Sequence, residues 1–166
     1  MMSEEWVKEQ KEELTKERIL QRLEERQYKE LKEELENSMY PVDLADILEE
    51  FEQKQMVMVF RLLAKEEAAE TFTYMNSDLR TLLINSLTDS ELEEVMEEMY
   101  LDDTVDVLEE MPANVVDRLL LVTDEEKRRQ INQLLQYPED SAGSVMNVDY
   151  IALRRDMTVA EAILKI

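Results

Sequence analysis

The feature that most constrains the fold of this sequence is an apolar spacing that recurs about every 12 residues after Pro41. The segment from Asp43 to Phe51 returns 60 residues later, from Asp103 to Met111, with nearly the same order of residue types. Within each unit, apolar side chains fall at i, i+3, i+4 and i+7, which marks one face of a short α-helix. Helices this short are marginal in water and must bury their apolar faces against neighbouring units. The repeat therefore predicts an all-α fold, a right-handed superhelix of short helices (an α-solenoid).

Composition and helix-start signals agree with this fold. The chain has one glycine and three prolines, too few for a protein rich in hairpins and tight turns. Residues that favour helix starts stand between the apolar units, namely Pro41, Asn76, Thr88, Pro112 and Asp124. The predicted core positions are Met56, Val59, Phe60, Leu63, Ala68, Thr71, Phe72, Met75, Leu79, Leu82, Leu83 and Leu87. Methionines at template positions are interpreted as core residues rather than as a binding groove.

Residues 1–37 differ from the repeats and form the first predicted domain. They are a dense mixture of Glu, Lys and Arg without Gly or Pro, so we predict one long charged helix. Pairs such as Glu12 with Lys16 and Glu25 with Lys29 have the favourable i, i+4 order. This helix is either a solvated lead-in, or a surface that docks on a partner or pairs with its own copy.

The charge of the chain excludes several functions. It has 41 acidic and 19 basic residues, a net charge of −22, which argues against binding the phosphate backbone of a nucleic acid. It has no Cys or His, which removes disulfides, structural zinc and most hydrolytic or redox sites. Any bound metal must take oxygen ligands, which suits Mg²⁺ or Ca²⁺. Residues 66–110 hold 15 acids and one base, Arg80, so this stretch cannot neutralise itself.

A run of carboxylates is the strongest candidate site in that stretch. Glu94, Glu98, Asp102 and Asp106 follow one another at i, i+4 steps, and Asp103 is adjacent. On one continuous helix face these like charges would repel one another. Either water and salt screen the face, or a cation is its partner.

Residues 102–106 also fit the DDxxD pattern with which isoprenoid synthases hold Mg²⁺ and a diphosphate. Such a site needs long helices around a deep apolar pocket, a second metal motif and basic residues for the diphosphate. None of these is evident in the sequence, so we interpret the chain as not an enzyme.

The motifs of the chain resemble a known family over residues 38–166. The segments from Asp43 to Glu50, Glu67 to Glu70 and Leu101 to Asp106, closing on Tyr-Pro-Glu-Asp-Ser-Ala-Gly-x-x-Met from Tyr137 to Met146, resemble the cytosolic N domain of MgtE magnesium channels and transporters. The resemblance implies an N domain over residues 38–137. It also implies that residues 138–166 are a linker and the α+β start of a CBS domain, with a strand at 148–153 and a helix at 158–166.

The resemblance further implies a function and a ligand set. In that family the N and CBS domains close around Mg²⁺ when it is abundant and hold a transmembrane pore shut. By motif position the metal ligands would be Glu70, Asp102 and Asp106, with Asp103 beside them. The first-repeat acids Asp43 and Asp46 share the pattern but are interpreted as structural or solvated. The implied partners are Mg²⁺, the CBS domains and the membrane domain of the parent transporter, in a homodimer.

The lengths of the apolar stretches and the N-terminal residues indicate where the chain is located. Its longest apolar stretches are far shorter than the roughly 20 residues of a membrane span, and no secretory signal is evident. We therefore expect a soluble fragment on the cytoplasmic side of a membrane, cut from a full-length transporter inside its first CBS domain. The alternative is a non-catalytic interaction scaffold resembling a flagellar motor switch domain, which also uses short-helix repeats.

Overall fold

The computed structural model describes residues 16–138, 141–143, 146 and 151–165, and this part of the chain is helical without strands. Residues 16–24 form α1. The helices that follow are α2 (Tyr28–Ser38), α3 (Pro41–Leu48), α4 (Gln53–Phe60), α5 (Lys65–Tyr74), α6 (Ser77–Ser86), α7 (Asp89–Glu98), α8 (Leu101–Glu109), α9 (Ala113–Val122), α10 (Glu125–Leu134) and α11 (Val159–Ile163).

The predicted 12-residue period is confirmed by where the helices begin. Successive helices from α3 to α10 start at residues 41, 53, 65, 77, 89, 101, 113 and 125, always 12 residues apart. Asn76 accepts a hydrogen bond from the backbone N–H of Leu79 at 2.9 Å, and Asp124 caps α10 in the same way. Thr88 and Glu91 form a reciprocal capping box at the start of α7. These caps satisfy N–H groups that have no partner within their own helix.

The helices of the stack pack mainly on those two places further along the chain. The odd-numbered helices α3, α5, α7 and α9 pack one on the next, while α4 lies against α6 and α8 against α10. A further contact joins α5 to α8 and ties the two rows together. This arrangement confirms the predicted all-α stack of short helices.

The core follows the apolar template with three departures. Six methionines are predicted to be core residues; five of them are buried and Met58 is half-buried against the core, the buried five being Met56, Met75, Met96, Met99 and Met111. Leu82 is 42% exposed although the template predicts it to be buried, because α6 turns Leu79, Leu83 and Ile84 toward the core instead. Leu63 is half-buried and packs on the edge of the core.

The prediction of one long N-terminal helix is wrong for the part of the segment that the structure describes. The helix ends at residue 24, Arg26 takes a left-handed backbone conformation with φ of 58°, and α2 begins at Tyr28. The chain turns there because both helices have apolar faces to bury, and four of those residues lie in the core: Ile19, Leu23, Leu31 and Leu35. Arg18 and Arg22 pair with Glu34 on the other helix. The predicted i, i+4 order of Glu25 and Lys29 is lost since Glu25 lies in the turn, and Glu12 lies outside the described residues.

Several basic residues of the repeats bind the carbonyl ends of neighbouring helices. Arg118 donates to the backbone oxygens of Ile84 at 2.5 Å and Leu87 at 2.9 Å, at the end of α6. Lys127 donates to the backbone oxygen of Met96 at 2.6 Å, near the end of α7. Carbonyl groups at a helix end lack partners and carry partial negative charge, so a cation there is stabilising. These hydrogen bonds help to hold the stack together.

One ion pair links the corner after α4 to the start of α7. Arg61 Nε lies 2.6 Å from Glu91 Oε1. This pairing lowers the pKa of Glu91 to about 2 against a smaller opposing effect of burial, and Thr88 lowers it further. Because the depressed pKa belongs to the folded chain, the stabilisation is present above the ordinary glutamate pKa and is lost as pH falls toward 2.

The C-terminal segment retains part of its predicted structure. The predicted helix is present as α11, and Thr158 with Glu161 forms its capping box. In the described part of the predicted strand, residues 151–153, the backbone is not in a strand, and residues 148–150 lie outside the described residues. A strand needs a second strand to satisfy its backbone groups, and the described chain supplies none here.

Candidate functional site

Three of the predicted site residues lie at the start of α8. Tyr100 is extended, the helix begins at Leu101, and Asp102 and Asp103 occupy its first turn. Asp106 follows one turn later and is exposed, whereas Asp102 and Asp103 are half-buried. Acidic residues are favoured in the first turn because the N-terminus of a helix carries partial positive charge.

The fourth predicted residue, Glu70, comes from α5, which packs against α8. Glu70 is exposed, and its negative charge acts on Asp103. The pKa of Asp103 is raised above its ordinary value, first by burial and then by the charges of Asp102, Asp106 and Glu70. The fold thus brings all four predicted residues into one electrostatic neighbourhood.

The continuous carboxylate stripe expected from spacing does not form as one face. Glu94 and Glu98 belong to α7, whereas Asp102 and Asp106 belong to α8. The extended backbone at Met99 and Tyr100 separates the two helices and breaks the i, i+4 register. The expectation that no base relieves these acids is also wrong for Glu94, which lies 3.4 Å from Lys65. Its partner is 29 residues earlier in the chain, so local spacing could not reveal the pair.

Glu67 is a further candidate that was not among the predicted site residues. Glu67 lies in the first turn of α5, three residues before Glu70, and its Oε2 is buried without a hydrogen-bond partner among the described residues. Burying a carboxylate oxygen without a partner costs free energy. The spacing of Glu67 and Glu70 on one helical face is the sequence signal that could have selected both.

The donor chemistry of the site fits a hard cation. Carboxylate oxygens are the ligands that Mg²⁺ and Ca²⁺ prefer in proteins. Among the described residues, no group of three acidic side chains is placed closely enough to hold a metal ion. The four acids therefore form a region of concentrated negative charge and not an assembled coordination cage.

Replacing Asp103 with asparagine is expected to stabilise the metal-free chain at pH 7 by about 0.5–1 kcal/mol, because it removes a half-buried charge that three other acids repel. The folded chain holds the Asp103 proton more tightly than the unfolded chain does. The free energy of unfolding therefore falls as pH rises from the ordinary aspartate pKa toward the raised one. Urea unfolding between pH 3 and pH 8 measures both effects, and the pH dependence should flatten in Asp103→Asn.

Asp43→Asn is the matched control, since Asp43 occupies the equivalent repeat position 60 residues earlier with similar burial. A loss of stability in Asp103→Asn, or an equal gain in Asp43→Asn, would contradict the assignment of repulsion to Asp103.

Comparison with known proteins identifies the region that contains this site. The family model of the MgtE intracellular N domain matches residues 39–140. The chain is 31% identical over 145 residues to a magnesium transporter MgtE of Thermus thermophilus, which covers 85% of this chain and 32% of that protein. It is 23% identical over 130 residues to a magnesium transporter MgtE of Bacillus subtilis, covering 78% of this chain and 29% of that protein.

Solved structures give the same result. The cytosolic domain of the Mg²⁺ channel MgtE in complex with ATP superposes with a TM-score of 0.74 at 32% identity, covering 88% of this chain and 60% of the other. The soluble part of a magnesium transporter superposes with a TM-score of 0.79 at 21% identity, covering 93% and 60%, which shows a shared fold. The chain thus spans about a third of the curated relatives it matches. Within the described residues, no helix is both long and apolar enough to cross a bilayer.

Proposed function

The chain belongs to the MgtE intracellular N domain family, and on this premise we propose that it is the magnesium-sensing part of a magnesium transporter or channel. In the full-length protein it lies on the cytoplasmic side of the membrane and has no catalytic role. Its acids bind Mg²⁺ together with carboxylates of the CBS domains, and this closes the pore when Mg²⁺ is abundant. The family membership is the reason for preferring this function to an interaction scaffold of the motor switch type.

The observation that carries the proposal is the packing of α5 on α8, which places Glu70 near Asp102, Asp103 and Asp106. Burial and the charges of Glu70, Asp102 and Asp106 all oppose its ionisation. A divalent cation near this group would replace repulsion by attraction. The site would then favour whichever arrangement of domains brings further carboxylates to the same ion.

The mechanism is a population shift between two arrangements of domains. Without cations, the acids of α5 and α8 repel the acids of the facing CBS domains, which favours separation. Cations bound between the two sets of carboxylates, with water molecules retained as Mg²⁺ prefers, stabilise the compact arrangement. Because the ion binds the compact arrangement better than the open one, its concentration sets the fraction of closed molecules.

The proposal is tested by titrating Mg²⁺ into the full-length protein at constant ionic strength and following domain closure by protection from protease. Asp102→Asn with Asp106→Asn is expected to raise the Mg²⁺ concentration for half-closure about tenfold or more, a coupling typical between linked sites. By calorimetry, the 166-residue chain alone is expected to bind Mg²⁺ weakly, since the proposed site is shared with carboxylates of the CBS domains.

The pair Asp43→Asn with Asp46→Asn is the control, because these acids hold the first-repeat positions equivalent to Asp103 and Asp106 and likewise remove two charges. It should leave the Mg²⁺ dependence unchanged. Tight stoichiometric binding to the chain alone that survives Asp102→Asn with Asp106→Asn would overturn the shared site.

A further inference from the structure

The motif from Tyr137 to Met146 lies outside the proposed cation site, and its described residues are exposed or half-buried yet make specific contacts. The backbone N–H of Tyr137 donates to the oxygen of Leu134 at 3.0 Å, which closes the last turn of α10. The N–H of Ser141 donates to the oxygen of Pro138 at 3.1 Å. Backbone hydrogen bonds therefore hold both Tyr137 and Ser141 close after α10.

Gly143 is the single glycine of the 166-residue chain, and it lies against the ring of Tyr137. A Cβ at this position would lie 2.6 Å from Cγ and 2.8 Å from Cε1 of that ring, which is too close for any side chain. The backbone of Gly143 does not have a positive φ. Glycine is therefore required here for close approach of the ring and not for backbone freedom.

The far end of the motif is attached as well. Met146 is partly buried and packs against the hydrophobic core of the superhelix. The described residues of the motif thus bond to α10 at Tyr137 and pack on the core at Met146, while Gly143 lies against the Tyr137 ring. A ring contact that only glycine permits indicates a fixed segment rather than a flexible tether.

We propose that the packing of the Tyr137 ring on Gly143 is a fixed joint, which sets the direction in which the chain leaves the superhelix. Resting on the function proposed above, the joint lets cation binding at α5 and α8 reposition the following domain as a rigid body. A flexible linker would not transmit the effect of cation binding to the following domain.

The joint is tested first in the 166-residue chain without Mg²⁺, by amide hydrogen exchange at Ser141. Gly143→Ala is expected to speed exchange of Ser141 about tenfold or more, while core amides in α5 and α6 stay unchanged. Tyr137→Phe keeps the ring and should exchange like the unsubstituted chain. Exchange of Ser141 at the unstructured rate in the unsubstituted chain, or no effect of Gly143→Ala, would overturn the joint and leave the proposed magnesium sensor untouched.

The second measurement uses the full-length protein and the protease-protection titration described above. Gly143→Ala is expected to reduce the extent of closure at saturating Mg²⁺, with Tyr137→Phe again as the control. If Gly143→Ala loosens Ser141 but closure is complete, the joint does not transmit the motion and its functional role is overturned.

Discussion

Replacing Arg80 with methionine is expected to lower the free energy of unfolding by about 3 kcal/mol or more, the range for removing one partner from a buried charged network. Arg80 is only 7% exposed. Its guanidinium donates to the backbone oxygens of Phe72 at 3.1 Å and Thr73 at 2.7 Å, and to Glu110 at 2.7 Å. Methionine fills much of the same volume but donates no hydrogen bond, so both carbonyls at the end of α5 lose the Arg80 donor, and Phe72 retains its bond from the backbone N–H of Met75 at 3.3 Å. Urea unfolding followed by circular dichroism measures the loss.

Glu110→Gln removes the ion pair and leaves the hydrogen bonds from Arg80 to the backbone oxygens in place. Glu110 is 59% exposed, so its pair with Arg80 is screened by solvent and its loss is expected to cost about 1 kcal/mol or less. Arg80→Lys should fall between the two, because an ammonium cannot reproduce the fork of donors. Equal losses in Arg80→Met and Glu110→Gln would show that the ion pair, and not the carbonyl contacts, accounts for the stability.

Arg80 also illustrates what the sequence could and could not reveal. Counting charges identified it as the single base among residues 66–110, and the natural expectation was that one base leaves the acids unneutralised. In the structure this base is also buried, and it binds backbone oxygens at the end of α5. Its partners are therefore mostly backbone oxygens, which no pattern of side chains can predict.

The repeat was predictable because its causes are local. Apolar spacing and cap residues such as Asn76 and Thr88 act within one helix, and α6 and α7 begin where those cap signals stand. The turn at Arg26 was missed because neither glycine nor proline marks it. It forms for a tertiary reason, the burial of apolar faces of α1 and α2 against the core, and tertiary packing overrides local helix preference.

The candidate site also combines residues that local sequence can select with residues that only tertiary packing brings together. Asp102, Asp103 and Asp106 could be selected from sequence because they share one short helix, whereas Glu70 required a family resemblance to join them. Its proximity follows from the contact between α5 and α8, which lie three helices apart in the series. Glu67 has the i, i+3 spacing from Glu70 that could have selected it, but its buried oxygen is a property of packing that spacing does not reveal.

A rigid stack explains how so acidic a surface is kept in place. The helices cannot relieve repulsion by moving apart, because each is held by its neighbours and by bases such as Arg118 and Lys127 at helix ends. The fold therefore keeps the acids of α5 and α8 close to one another, which suits the cation sensor proposed above.

Replacing Phe72 with alanine is expected to cost about 3–5 kcal/mol, the range for truncating a fully buried aromatic side chain. Phe72 is 0% exposed and belongs to α5, which contacts α3, α7 and α8. Its loss should weaken both rows of the stack, so unfolding by circular dichroism should stay cooperative and shift to much lower urea. Phe72→Leu retains most of the apolar volume and is expected to lose less than half as much. A Phe72→Ala chain within about 1 kcal/mol of the unsubstituted protein would mean that α5 is not central to the stack, and the rigid placement of Glu70 beside α8 would then lack its support.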